Sequence, residues 1–193
     1  MKTKFLLIFS LFFLALLQAQ TSEHLTFKGV PIDGKLTEFV AKMKLAGFTH
    51  LQTTDGVAFL SGDFAGYKKC MVGVSILKQN DLVHKAIVVF PDLSTWGALE
   101  NNYLNLKSLL TEKYGEPTTV LEQFETNVQY LDDNLRLTYL QLDQCKYYSV
   151  WDTNKGTIQL GIDHNGIESC FVKLAYFDKI NSAIIETNAK DDL

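Results

Sequence analysis

The amino-acid sequence predicts an α+β fold, in which a tandem repeat of a helix followed by an antiparallel meander forms one sheet with helices on one face. Two stretches, Cys70–Asp92 and Gly156–Asp178, carry this prediction because they align without a gap at an offset of 86 residues. Each alternates apolar and polar residues in two runs around a polar turn, which is typical of a β-hairpin. An amphipathic helical pattern precedes each of them.

The first helical pattern covers about 35–46. Its apolar residues recur at the spacing of one helix face, at Leu36, Phe39, Val40 and Met43. Asp33 is predicted to cap its start and Gly47 to end it in the left-handed conformation. Residues 49–64 then predict strands around a hairpin turn at Asp55-Gly56.

The second helical pattern runs from Ser94 or Thr95 to Tyr114. Its apolar positions recur every three or four residues, at Trp96, Leu99, Tyr103, Leu106 and Leu110. Gly115 and Pro117 end it, because glycine favours a helix C-terminus and proline cannot continue one.

Residues 116–144 fit more than one structure. Thr118–Phe124 is interpreted as a short helix after Pro117. Asn134–Leu142 fits a strand or a helix capped by Asp132 or Asp133, and a helix is favoured because the first half has no counterpart strand. Strands are then predicted over 146–152, 156–163 and 168–177.

The N-terminus has the pattern of a signal peptide. Lys2 and Lys4 precede an apolar run from Phe5 to Leu17, and Ala19 is the predicted cleavage site. Export to the periplasm or the medium follows, with no membrane span after signal removal. The predicted organisation is a signal peptide at 1–19 and a single domain at 20–193, with halves at about 23–92 and 93–178 and a polar tail at 179–193.

Charge excludes some classes of partner. The chain has 18 basic and 22 acidic residues, and removing Lys2 and Lys4 leaves 16 against 22, a net charge of −6. The charges are scattered without a basic stripe, so neither nucleic acid nor an anionic membrane surface is expected as a partner.

Three cysteines can form one disulfide and leave one free thiol, and exported proteins often form disulfides. Cys145 and Cys170 are predicted to lie two strands apart, roughly 10 Å, which exceeds the reach of a disulfide. Free thiols at Cys70, Cys145 and Cys170 are therefore predicted.

No catalytic, metal or cofactor motif appears in the sequence. The four histidines are dispersed, no HExxH or CxxC occurs, and no phosphate-binding glycine loop is present. Asp152–Gly156 has some calcium-loop residues, but the glycine is one place early and the bidentate glutamate is missing. We expect no enzyme and no cofactor, and Cys145 is the only thiol worth testing as a nucleophile.

Strand alternation separates an aliphatic face from a mixed one. The aliphatic face, predicted to pack on the helices, carries Val72, Val74, Ile76, Ala86, Val88 and Phe90 with their counterparts in the second half. The mixed face is predicted to be open and to bind a partner through Tyr147, Trp151, Phe171, Lys173, Met71, Lys85 and Ile87. Aromatic residues among small polar ones are typical of a binding surface.

The paired meanders, the helices at 35–46 and 95–114, and the aromatic residues Tyr147, Tyr148 and Trp151 resemble the beta-lactamase inhibitor protein-like fold. That resemblance implies one curved sheet from both repeats, helices on its convex side, and concave aromatic residues that grip a partner. The inhibitors carry a disulfide in each half, which three cysteines cannot reproduce. The segment Phe27–Gly34 also resembles the opening of exported proteins of unknown function.

The function expected is that of an exported, non-catalytic binding module that recognises a cell-envelope or extracellular protein through the open sheet face. Two alternatives concern that face: residues 116–144 fold over it, or a homodimer buries it. A third alternative is a carrier of a small apolar or glycan ligand between the sheet and residues 116–144. An enzyme of unknown type is the last alternative.

Overall fold

The structure is a computed structural model that describes residues 23–126 and 130–191. The predicted signal peptide, residues 1–19, lies outside the described residues. The strands are β1 (Thr26–Phe27), β2 (Val30–Pro31), β3 (Thr49–Thr54), β4 (Val57–Phe64), β5 (Tyr67–Leu77), β6 (Leu82–Val89), β7 (Thr119–Phe124), β8 (Cys145–Thr153), β9 (Gly156–Asn165) and β10 (Ser169–Asp178). The helices are α1 (Leu36–Leu45), α2 (Trp96–Tyr114), α3 (Asp133–Gln141) and α4 (Lys179–Asp191).

Eight strands form one antiparallel sheet in the order β3-β4-β5-β6-β10-β9-β8-β7, and β1 pairs with β2 beside it. Two four-stranded meanders therefore meet at the β6–β10 pair. Helix α1 contacts β5 and β6, whereas α2 contacts β8, β9 and β10. The predicted α+β fold, with helices packed on a large antiparallel sheet, is confirmed.

The core lies between the aliphatic sheet face and the helices. The side chains that fill it from the sheet are fully buried, at Ala58, Leu60, Val72, Val74, Ala86, Val88, Ile158, Leu160 and Val172. The helical residues facing them are the predicted apolar stripes, including Met43 of α1 and Leu99 of α2. The predicted helix-facing side of the sheet is thus confirmed.

Local signals end most elements where the sequence predicts. Asp55 and Gly56 both have positive φ, as the two-residue turn between β3 and β4 requires. Thr95 caps α2 by accepting a hydrogen bond from the Ala98 N–H, and Gly115 follows the helix at a φ of 85°. These residue types stabilise the turn and the caps that their backbone conformations need.

The predicted Asp33 cap is wrong. Lys35 occupies the N-cap position of α1 without a side-chain cap. Asp33 instead accepts a hydrogen bond from the Asn181 Nδ2 of α4 at 2.9 Å. Its carboxylate therefore makes a long-range contact in place of the predicted hydrogen bond to the first turn of α1.

The short helix predicted at Thr118–Phe124 is also wrong, because this segment is the edge strand β7, paired with β8 from Thr119–Val150 to Phe124–Cys145. The helix favoured at 134–142 is confirmed as α3, and Asp132 caps it. The predicted polar tail at 179–193 is helical through Asp191, because Asp178 accepts the Asn181 N–H and starts α4.

The strand register agrees with the predicted 86-residue offset in one strand of each hairpin and departs from it in the other. Val88 pairs with Leu174, its own counterpart at the 86-residue offset, so the central β6–β10 pairing is symmetric. Val88 also pairs with Val72, whereas Leu174 pairs with Leu160, an offset of 88. The first hairpin is two residues longer than the second and includes a bulge, so the ungapped alignment does not hold across the first strand. Duplication itself stays a prediction.

Candidate functional site

The sheet face opposite the helices, here called the open face, is formed around the middle of the sheet. Its central residues alternate with the core-facing ones, at Met71, Gly73, Ser75, Lys85, Ile87, Val89, Phe171, Lys173 and Ala175, of which Ala175 is itself buried. Helix α3 packs against α2, β8 and β9 on the other face, with Leu140 buried in the core. The described residues of 116–144 therefore leave the open face uncovered, contrary to one alternative.

A groove of about 490 Å³ lies on the open face. Most of its lining side chains are apolar, and they include Val57, Phe59, Met71, Ile87, Val89 and Phe171. Gly73 forms its floor, where an added Cβ would meet nothing closer than a Val57 methyl at 3.9 Å. Ser75 lines one end, and Lys69, Asp92, Asn165 and Ser169 line the other.

The charges around the groove differ in how they are paired. Lys173 forms an ion pair with Asp163 on β9. Lys69 and Asp92 both line the same end of the groove, and Asp92 accepts a hydrogen bond from Ser169 Oγ at 2.8 Å. Lys85 differs from Lys173, since its Nζ lies 4.9 Å from the centre of the Phe177 ring. Among the described residues, neither Lys85 nor Lys69 forms an ion pair.

Burial lowers the pKa of Lys85, and the neighbouring Lys173 lowers it further. The same burial removes part of the hydration of the side chain, so an anionic group at this position would meet a partly desolvated lysine.

Five of the seven predicted partner-binding residues share the open face. Met71, Ile87 and Phe171 line the groove, while Lys85 and Lys173 stand beside it, opposite Ser75 and Val89 in the strand pairing. Sequence reasoning missed Val57 and Phe59 of β4. The signal was present, because both alternate with the buried Ala58 and Leu60.

The placement of Trp151 on the open face is wrong. Trp151 pairs with the buried Ile158, is 2% exposed, and donates from Nε1 to the Gly115 carbonyl at 2.9 Å. Alternation fixes which residues of a strand share a face, but only pairing with β9 decides which face that is.

Tyr147 also lies on the helix side. Its ring meets the rings of Trp96 and Tyr103 edge-on, each at 5.1 Å, and its hydroxyl donates to Glu100 Oε1 at 2.8 Å. Tyr148, opposite Gly161, occupies the open face in its place.

A polar network lies under α2. Tyr103 donates to Glu122 at 2.9 Å and contacts Ser149 Oγ at 2.6 Å, while Lys107 donates to the same glutamate at 2.6 Å. Burial raises the pKa of Tyr103, and Glu122 raises it further against the opposing effect of Ser149. The neutral phenol of Tyr103, with its hydrogen bonds satisfied, connects α2 to β7 through Glu122 and to β8 through Ser149.

The cysteines are free thiols, as predicted. Burial raises the pKa of the Cys145 thiol to about 12. Because the thiolate is the reactive form, this setting disfavours Cys145 as a nucleophile. Within the described residues, no cluster of three or more metal-binding side chains occurs.

His164 forms a separate contact at the tip of the β9–β10 hairpin. Its Nδ1 lies 2.9 Å from the Gly166 carbonyl and its Nε2 lies 3.0 Å from Asp143 Oδ1. The hydrogen bond to Gly166 and then that to Asp143 raise the pKa of His164 against the effect of burial. This arrangement suits an imidazolium that donates at both nitrogens.

No helix among the described residues has both the length and the apolar character needed to cross a membrane. Comparisons with protein-family models, with curated proteins and with solved structures found no match to this chain.

Proposed function

We propose that the protein is an exported, non-catalytic binding module that recognises a protein partner through the open face of its sheet. The observation that carries this proposal is the apolar groove on the open face, which the described residues of 116–144 leave uncovered. Contiguous exposed apolar surface on a protein marks an interaction site more often than scattered single residues do.

Two further features support the proposal. Both meanders join in one sheet, as the resemblance to beta-lactamase inhibitor protein-like folds implies for a protein that grips its partner with a sheet face. The pattern of residues 1–19 supports export, so the expected partner is a protein of the cell envelope or the medium.

The test replaces apolar side chains of the groove by charged ones. Met71→Asp combined with Phe171→Asp should abolish capture of the partner in crosslinking and pull-down with intact protein, because the carboxylates would be desolvated in the contact. Leu109→Asp is the matched control, since Leu109 is 52% exposed on α2 at the helix side. Equal capture by the groove variant and the control would reject this surface.

The volume of the groove favours a second candidate function, a carrier of a small apolar or glycan ligand. Pockets of a few hundred Å³ lined by aromatic and aliphatic side chains are typical of small-ligand sites. The groove of about 490 Å³ with Phe59 and Phe171 has this character. It lies on the open face, not beneath residues 116–144 as the sequence alone suggested. Native mass spectrometry of the purified protein separates the candidates, because a carrier retains a small molecule.

A further inference from the structure

The end of the groove at Ser75 lies beside a lysine, Lys85, whose Nζ is directed towards the Phe177 ring on β10. Ser75 lines the groove and pairs directly with Lys85 across the β5–β6 ladder. Paired residues on one face of neighbouring antiparallel strands stand about 5 Å apart, so the Lys85 stem borders the groove. Ile87, two residues further along β6, lies on the same face and continues the apolar lining.

The other lysines near the groove differ from Lys85. Lys173 is paired with Asp163, and Lys69 at the far end is exposed to solvent. Lys85 is partly buried, and no carboxylate of the described residues forms an ion pair with it. An uncompensated, partly buried cation attracts an anion more strongly than a fully hydrated one does.

The groove is long enough to hold a ligand with an extended hydrocarbon chain. The groove follows β5 from Ser75 to Lys69, a span of roughly 20 Å at about 3.4 Å per residue. Gly73 keeps its floor open, while Met71, Ile87 and Phe171 supply apolar walls. A second copy of the chain packed face to face would instead desolvate Lys85 and Lys173 of both copies.

We propose that the groove binds an anionic amphiphile, with its apolar chain along Ile87, Met71 and Phe171 and its carboxylate at Lys85. This inference rests on the second candidate function, the small-ligand carrier, and gives the chemical class of its ligand. The hydrocarbon is buried among apolar side chains, and the carboxylate accepts a charge-assisted hydrogen bond from the Lys85 ammonium.

The test uses three probes that share one chain: dodecanoate, dodecan-1-ol and dodecylamine, each kept below its aggregation threshold. Amide chemical shifts of the intact protein, followed by nuclear magnetic resonance, give both the site and the dissociation constant. Dodecanoate should perturb Gly73, Ser75 and Ile87 and bind about tenfold more tightly than the alcohol, because a charged hydrogen-bond partner contributes that order of affinity.

Lys85→Gln removes the charge while keeping most of the side chain. It should weaken dodecanoate binding about tenfold and leave dodecan-1-ol binding unchanged. Lys85→Arg should restore dodecanoate binding, which separates the loss of charge from a folding defect. Lys44→Gln on α1 is the control, since it makes the same charge change on the helix side and should alter neither affinity.

Two outcomes overturn the inference in different ways. Equal affinity for the three probes, unchanged in Lys85→Gln, rejects the anionic head but leaves the groove as an apolar ligand site. Absence of shifts at the groove with every probe rejects the small-ligand carrier itself. Sedimentation velocity at rising protein concentration then distinguishes a second copy as the occupant from a different protein.

Discussion

At the scale of single residues, the burial of Trp151 contradicts its predicted role as a partner-binding residue. An aromatic side chain on a strand with polar neighbours resembles a binding residue, yet this one fills the space between β8 and the end of α2. Because its indole N–H is bonded to the Gly115 carbonyl, the residue also satisfies a helix C-terminus.

Trp151→Ala is therefore expected to destabilise the protein by about 3–5 kcal/mol, as large-to-small changes in a packed core do. Phe171→Ala on the open face should cost less than about 1 kcal/mol, because its environment can adjust and remains hydrated. Urea unfolding followed by circular dichroism measures both. Similar costs for the two variants would contradict the assignment of Trp151 to the core.

His164 gives a prediction about pH. Its pKa is raised in the folded state by Gly166 and Asp143, so its contribution to stability is fully present below about pH 6.5 and is lost as pH rises through the folded pKa. The stability advantage of the wild type over His164→Gln should be larger at pH 6 than at pH 8. Asp143→Asn should reduce that difference, and an advantage that grows with pH would have the wrong sign.

At the scale of elements, the C-terminal helix is joined to the N-terminal strand pair through Asp178. This side chain is fully buried and accepts hydrogen bonds from the Leu25 N–H at 2.8 Å and the Asn181 N–H at 2.9 Å. His24 Nδ1 lies 3.0 Å from the same carboxylate. Leu25 and Asp178, which are 153 residues apart in the chain, are thus joined through one acceptor.

Asp178→Ala should lower the free energy of unfolding by about 2–4 kcal/mol, because it leaves buried N–H donors without a partner. Amide hydrogen exchange should accelerate most at Leu25 and Asn181. Glu112→Ala, an exposed acidic position on α2, is the matched control and should change neither quantity. Uniform acceleration across the sheet would point to global destabilisation instead of local release.

Elements with local stop signals were predictable from sequence, whereas β7 and α4 were not. The caps and glycines around α2 act within a few residues of the helix. β7 instead depends on pairing with β8, whose paired residues lie 21 to 31 positions further along the chain, and α4 depends on the hydrogen bonds of Asp178. Local patterning contains no information about such partners.

At the scale of the whole molecule, the pairing of β6 with β10 joins the two halves in one sheet. Backbone hydrogen bonds cross it over five residue pairs, from Lys173–Val89 to Phe177–Lys85. Asn181 adds side-chain contacts to the first half through the Val83 carbonyl and Asp33. The halves therefore share both a sheet and a core.

Unfolding should accordingly be a single cooperative transition. Tryptophan fluorescence reports on the second half, through Trp96 and Trp151, and amide exchange of β4 and β5 reports on the first. Both should give the same urea midpoint, and Leu174→Ala, at the centre of the pair, should lower both equally. Separate midpoints would mean that the halves are independent domains.

The fold class, the aliphatic face, α1, α2 and the hairpin turns could be predicted from the sequence, because alternation and caps are local properties of the chain. Five residues of the open face, including Ile87 and Phe171, followed from the same alternation. Three facts required the three-dimensional structure: which face the side chains of β8 occupy, that the groove includes Val57 and Phe59, and that no carboxylate of the described residues pairs with Lys85. Those facts depend on register between strands distant in sequence, and a shift of one residue in that register exchanges the buried and exposed faces.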